Sequence, residues 1–283
     1  MSEDLQPATA AAKGLVDPAV ARRTFRLERY LPRDTALKAH IEHHWLVEWD
    51  LRGKPAYTQR TLPYPCVNLV FDSGRTAIFG VMRGAFEYTL QNAGCVLGVR
   101  FRPGAFRSWL RRPVHTITDR TLAWSEVFEC DVAEAERQVL CASDDAAMVD
   151  VAEALLQSRQ AAADPQIDVI QRILKIAEDE RSLTRADELA ARAGMSLRGL
   201  QHLFSEYVGV SPKWVIRRYR LHDAAHRLAC DEAPDFATLA QELGFFDQAH
   251  FTRDFQKLVG KPPAEYHRNA KKAAATEWES GAG

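Results

Sequence analysis

The chain has 283 residues, 46% of them hydrophobic and 27% charged, with a formal net charge of -1. That length suits two ordinary domains, and the composition is that of a folded chain rather than a mostly disordered one. The near-zero charge excludes a polycation, so attraction to phosphate must come from a local face. The five cysteines (Cys66, Cys95, Cys130, Cys141, Cys230) are odd in number and lack a C-x-x-C pair. They argue against a disulfide framework or zinc cluster and fit reduced thiols in the cytoplasm. No apolar run reaches transmembrane length, so no membrane partner is expected, and no cofactor motif is present.

Met1–Val20 is Ala-rich with early acids and lacks a basic-then-apolar signal pattern. Residues 1–20 are expected to be unstructured. A short helix is expected over Leu37–His44. Strand signals follow at Trp45–Trp49, Cys66–Phe71, Thr76–Val81, Phe86–Leu90 and Cys95–Phe101, each rich in β-branched or aromatic residues and bounded by turn formers. A spacing near ten residues predicts a β-rich barrel or sandwich. From Ala105 the pattern turns helical, at Ala105–Arg111, Asp131–Cys141 and Ala146–Gln160. Residues 21–163 thus read as a β-rich domain with flanking helices. The run Ala161–Pro165 marks its end, with Asp164 placed to cap the next helix and Pro165 in its first turn.

Residues 164–270 read as seven helices, with an unstructured tail over 271–283. The first is Pro165–Glu180. The second starts after Thr184, with Asp187 in capping-box position, and ends near Arg192. Ser196 caps the third, Ser211-Pro212 opens a long fourth, Asp235 starts the fifth, Asp247 caps the sixth and Pro262-Pro263 opens the seventh. The fold class is therefore α+β, a β-rich domain followed by an all-α one.

Within the helical half the chain repeats itself. Ala190 and Gly194 recur as Ala240 and Gly244, and Phe204, Gly209 and Pro212 recur as Phe255, Gly260 and Pro263. Each copy is a short helix, a glycine turn and a second helix, which is a helix-turn-helix outline. In the first copy Leu200 and Phe204 face inward. Leu197, Arg198, Gln201, His202 and Ser205 are left on the outer face. In the second, Phe245, Phe251 and Phe255 are core candidates, while Gln248, Ala249, Thr252 and Arg253 share an exposed face. Arg pairs with guanine, Gln with adenine, and Ala or the Thr methyl with the thymine methyl. His250 reads as a cap-region or core-edge residue. Residues 185–227 hold eight Lys or Arg against four acids, and residues 247–272 hold six against three.

The run Gly244, Phe245, Asp247, Phe251, Arg253, Phe255, Gly260, Pro263, Tyr266 resembles the hallmark of the AraC/XylS transcription regulators. Leu189-Ala190, Gly194, Ser196, Leu200, Phe204, Gly209 and Pro212 fit the first unit of that family. The resemblance covers residues 165–268. It implies a transcription regulator and not an enzyme. Its two recognition helices, about 196–207 and 248–258, enter successive major grooves at a separation set by the fourth helix. By position it makes Arg198, Gln201, His202, Gln248, Ala249, Thr252 and Arg253 the base readers. Ser196, Arg192, Lys213 and Arg217 become phosphate contacts. Gly199, inside a reading helix, departs from good helix chemistry. The partners implied are double-stranded DNA, with RNA polymerase, a small-molecule effector and a second copy of the chain as further candidates.

The first half is similar to an uncharacterised N-terminal domain found in some of these regulators, through Gly98–Phe106, Tyr30-Leu31-Pro32, His44-Trp45 and Leu62-Pro63. A functional reading makes it an effector pocket, with Arg100 or Arg102 pairing an anion and Trp45 or Tyr64 as a wall. The competing reading makes the same arginines structural and the domain an oligomerisation platform. An enzymatic reading, drawn from His40, His43 and His44, has no supporting motif.

Overall fold

The computed structural model describes residues 5–8, 18–159, 164–230 and 235–281. Most of the N-terminal stretch expected to be unstructured lies outside the described residues. Within it, residues 5–8 run along the edge of the first strand: Leu31 N–H donates to Gln6 O and Ala8 N–H to Arg29 O. This pairing covers the C-terminal end of the edge strand's open hydrogen-bonding row.

The first half runs α1 (Pro18–Thr24), β1 (Arg26–Tyr30), a 3-10 turn at Leu37–Ala39, β2 (Ile41–Asp50), β3 (Tyr57–Thr61), β4 (Asn68–Asp72), β5 (Ala77–Phe79), β6 (Phe86–Leu90) and β7 (Ala93–Phe101). Then come α2 (Arg107–Leu110), β8 (Thr121–Ala123), α3 (Val132–Leu140) and α4 (Asp145–Gln157). The expected helix over 37–44 is a single turn followed by strand. Ile41–Asp50 lies between β1 and β7, and pairing on both sides overrides the local helical preference. Strands β1, β3 and β8 escaped the sequence reading because they are short and polar or isolated from turn formers.

A six-stranded antiparallel sheet has the order β1-β2-β7-β4-β5-β8, and β3 pairs with β6 as a second sheet. Alternation along each strand gives the large sheet two different faces. Leu46, Leu69, Phe71, Leu97, Val99 and Phe101 point one way into the main core with Trp109, Val149 and Leu156. Leu27, Trp45, Val47, Val70 and Val96 point the other way, toward the β3–β6 pair. Arg26 and Tyr30 tie α4 to β1 through Asp145. The buried His44 imidazole meets Glu153, 2.8 Å away, so this histidine is structural.

The second half has α5 (Gln166–Asp179), α6 (Ala186–Arg192), α7 (Leu197–Leu203) continuing as a π turn over Phe204–Val208, α8 (Pro212–Cys230), α9 (Phe236–Glu242), α10 (Gln248–Val259) and α11 (Pro263–Gly281). These are the seven expected helices, except that α11 extends past 271, where a frayed tail was expected. Asp164, Ser196, Asp235 and Asp247 accept backbone N–H groups at helix starts. The capping box expected at Thr184 and Asp187 does not form. Arg185 is the N-cap and pairs with Asp187, while Glu188 reaches back to Thr184 N–H.

Cores do not divide where the sequence does. Ile170 of α5 and Leu189, Leu200 and Phe204 of the first helix-turn-helix join the main core of the β-rich half. Leu239, Phe251, Phe255, Leu258 and Tyr266 of the second form a separate core, which takes in Leu62 from the β-rich half. The repeated glycines mark two docking points. Gly209 and Gly260 both end their helices at positive φ, 86° and 88°. A Cβ on Gly209 would lie 2.9 Å from Thr118 Oγ1, and one on Gly260 would lie 1.7 Å from Arg60 Nη1. Each copy of the repeat therefore rests its terminal glycine on the β-rich half.

Candidate functional site

The first reading helix begins at Ser196, whose hydroxyl accepts Gly199 N–H at 3.1 Å. A side chain at 199 would place its Cβ 3.2 Å from that hydroxyl, so the glycine that weakens the helix also leaves room for its cap. Leu200 and Phe204 are fully buried. Arg198, Gln201 and His202 are exposed, and their side chains make no hydrogen bond or ion pair with any described residue. Ser205, expected on the same face, instead meets His115 Nδ1 at 3.1 Å across the junction with the β-rich half. One turn further along than His202, the helix surface is already a contact between the two halves.

The second reading helix opens with Asp247 accepting His250 N–H at 2.6 Å. Phe245 packs edge-on against Phe251, which is tilted against Phe255, and all three are buried. Gln248, Ala249 and Arg253 are exposed, Thr252 is half-buried beside them, and none of their side chains has an intramolecular polar partner among the described residues. Phe246, which the sequence reading passed over, is 92% exposed immediately before the cap. The signal was available: Phe246 adjoins the Asp247 cap and falls outside the inward spacing of Phe245, Phe251 and Phe255.

The three cations matched to phosphate are placed differently. Lys213 is exposed and unpaired among the described residues. Arg192 is held by Glu180. Arg217 pairs with Asp254 and donates to His250 Nε2 at 2.7 Å, which ties α8 to α10. Burial lowers its pKa from the usual arginine range. Part of the basic excess of α8 is spent internally. Arg220 caps the end of α5 by donating to Ala177 O and Glu180 O, and Arg218 donates to Arg83 O in the β-rich half. Burial pushes the Arg218 guanidinium down to about 10.

A cavity of about 240 Å³ lies between the two sheets. Its floor is Trp45, flat over Gly98, with Nε1 reaching Asn68 Oδ1 at 3.4 Å. Its roof is β3 and β6. Tyr64 and Arg100 line it together, the guanidinium 4.2 Å from the ring centroid. Arg102 does not line it, because its Nε donates to Lys38 O at the surface. Sequence reasoning missed Arg29 and His43, which line the same end; they are far from Arg100 in the chain, and only strand pairing brings them together. Arg100 pairs with Glu42 at 3.1 Å. Burial, then the nearby Arg100 and Arg29 charges, hold the His43 imidazole down to about 3, so it is neutral.

A double helix-turn-helix whose two polar faces have no partners among the described residues, joined by one helix, defines a DNA-binding protein of the two-headed class. Residues 189–269 match the family described as "Helix-turn-helix domain", and residues 28–123 match a domain of unknown function, DUF6597. The chain is 32% identical over 85 residues to the probable transcription factor PqrA of Proteus vulgaris, a match covering 30% of this chain and 69% of PqrA. It is 30% identical over 82 residues to the transcriptional activator RhaS of Pectobacterium carotovorum subsp. carotovorum (strain PC1), covering 29% of each; the chain thus spans under a third of that relative's length. Among solved structures it is similar to ToxT of Vibrio cholerae O395, with 11% identity, a TM-score of 0.39, and 87% of this chain and 94% of ToxT covered. The chain belongs to the AraC/XylS family of DNA-binding transcription regulators. Among the described residues no helix is long and apolar enough to cross a membrane.

Proposed function

We propose that α7 and α10 read two successive major grooves of one duplex, with Arg198, Gln201 and His202 on one and Gln248, Ala249, Thr252 and Arg253 on the other. The observation that carries this reading is that neither face has polar partners among the described residues, while neighbouring cations such as Arg192 and Arg217 are pinned. A guanidinium left unpaired at a surface is available for bidentate contact with guanine. Lys213 and the Ser196 end of α7 take phosphate. Arg217 acts as a brace for α10, and Arg192 reaches phosphate only by leaving Glu180. Phe246 adds an apolar contact at the edge of the second groove.

The β-rich half is the sensor of this regulator, and the cavity is its effector site. A partly open, aromatic-lined space with cations at one end supports a sensor over a bare oligomerisation platform. Selection of bound sequences from a random duplex pool, followed by footprinting, tests the DNA reading. Two protected tracts one helical turn apart are expected, and a single tract would overturn it.

A further inference from the structure

One end of the cavity is aromatic, with the Asp72 carboxylate held there by Arg75 and the Tyr88 hydroxyl, and the other is cationic. Trp45, Trp49, Phe79 and Phe86 line it along its length. At one end Arg29 and Arg100 come together, close enough that the Arg100 charge helps lower the Arg29 pKa, after burial. Arg100 has Glu42 as its counter-ion. Arg29 has none: its side chain makes no ion pair or hydrogen bond with any described residue. A half-buried guanidinium near a second guanidinium, with His43 on the strand between them, is costly to hold without an anion. The space, about 240 Å³, lies just below the roughly 300–1,000 Å³ of ordinary ligand sites, which limits the occupant to one or two rings.

The cationic end is also where the cavity touches the DNA-reading half. The Tyr64 ring has Arg100 on one side and the imidazole of His222, in α8, stacked at 4.1 Å. The His222 ring also reaches Pro63 O at 3.3 Å. Leu62, in the same segment, sits in the core of the second helix-turn-helix, and Arg60 of the roof strand abuts Gly260. The strand and loop that roof the cavity are therefore the ones seated on α8 and the second head.

We propose that the cavity binds a compact aromatic carboxylate, its ring over Trp45 and its carboxylate between Arg29 and Arg100, and that the β3–Tyr64 segment passes this occupancy to α8. The inference rests on the reading of the cavity as an effector site. The carboxylate supplies the anion that Arg29 lacks, in the fork geometry arginine favours. The aromatic ring meets flat π surfaces instead of flexible aliphatic ones.

Calorimetry on the full chain, without DNA, tests the ligand class with benzoate, 1-naphthoate and indole-3-acetate, each against its neutral amide. At least one acid is expected to bind about tenfold or more tightly than its amide, a difference of about 1.4 kcal/mol. Arg29→Gln should erase that preference while keeping or raising Tm, since it removes an unpaired cation. If no acid outbinds its amide, the proposal is overturned. Coupling is read separately, as the ratio of affinities for a selected duplex with and without the bound acid. A ratio that departs from one in the wild type and returns toward one in His222→Gln, which keeps a donor for Pro63 O but loses the stacked ring, supports the relay. A wild-type ratio of one overturns it. Duplex binding in the absence of acid reports on the DNA reading alone, so the two failures are distinguishable.

Discussion

Trp45 and Gly98 face each other across β2 and β7, and a Cβ on Gly98 would fall 1.9 Å from Trp45 Cε2. The indole can lie flat on the sheet only because residue 98 has no side chain. The floor of the cavity thus depends on two residues more than fifty positions apart.

Gly98→Ala is expected to push Trp45 off the sheet into the cavity. Overpacking of this kind costs about 1–3 kcal/mol. A lower denaturation midpoint with altered tryptophan fluorescence is the expected result. An unchanged midpoint would mean the indole has another place to lie.

Arg253→Ala is expected to relax base preference at one position of the duplex, at a cost of about 1–3 kcal/mol. Lys213→Ala should instead weaken all sequences alike and lower the salt slope by about one. Competition binding over single-base variants at two salt concentrations separates them. A uniform loss for Arg253→Ala would place that guanidinium on phosphate.

Arg217 and Asp254 fix α10 against α8, so spacing tolerance should depend on them. Inserting about five base pairs, half a helical turn, between the two half-sites should sharply reduce affinity in the wild type. Asp254→Ala should shrink that penalty by loosening the brace. Equal penalties in both proteins would show that the brace does not set the separation.

Phe246 contributes no burial to the fold, so Phe246→Ala should leave thermal stability within about 0.5 kcal/mol of wild type. Weaker binding to the selected duplex is expected, because the ring lies beside the cap of the reading helix. Unchanged affinity would remove it from the interface.

His43 predicts a pH dependence with a defined sign. Its imidazole titrates near 6.5 when unfolded and near 3 when folded, beside Arg29, Arg100 and Glu42. Between these values the unfolded chain binds the extra proton, so stability should fall as pH drops below about 6.5 toward 3. His43→Gln should flatten the denaturation midpoint over pH 7 to 4.5. An equally steep decline in the variant would assign the effect to other groups.

How much of this was legible in the sequence follows from the range of the interactions involved. The helix-turn-helix units were legible because their signals are local: apolar residues at helical spacing, Ser196, Asp235 and Asp247 as caps, and glycines at Gly194, Gly209, Gly244 and Gly260. Even the exposed faces of α7 and α10 follow from periodicity alone, which placed Arg198, Gln201, His202, Gln248 and Arg253 outward. Local signals failed at Ser205, because the surface it faces belongs to His115, ninety residues earlier.

Sequence by itself therefore determined the kind of protein, through two copies of a pattern that needs only neighbours within one or two helical turns. Tertiary structure alone decided which cations stay free to bind. Arg217 and Arg192 look the same as Arg253 in the chain, and only Asp254 and Glu180 distinguish them. It also decided that Arg29, His43, Tyr64 and Arg100 share one cavity end. Strand register sets which face each side chain takes and which distant side chains it meets, and register is a property of the paired sheet, not of any one strand.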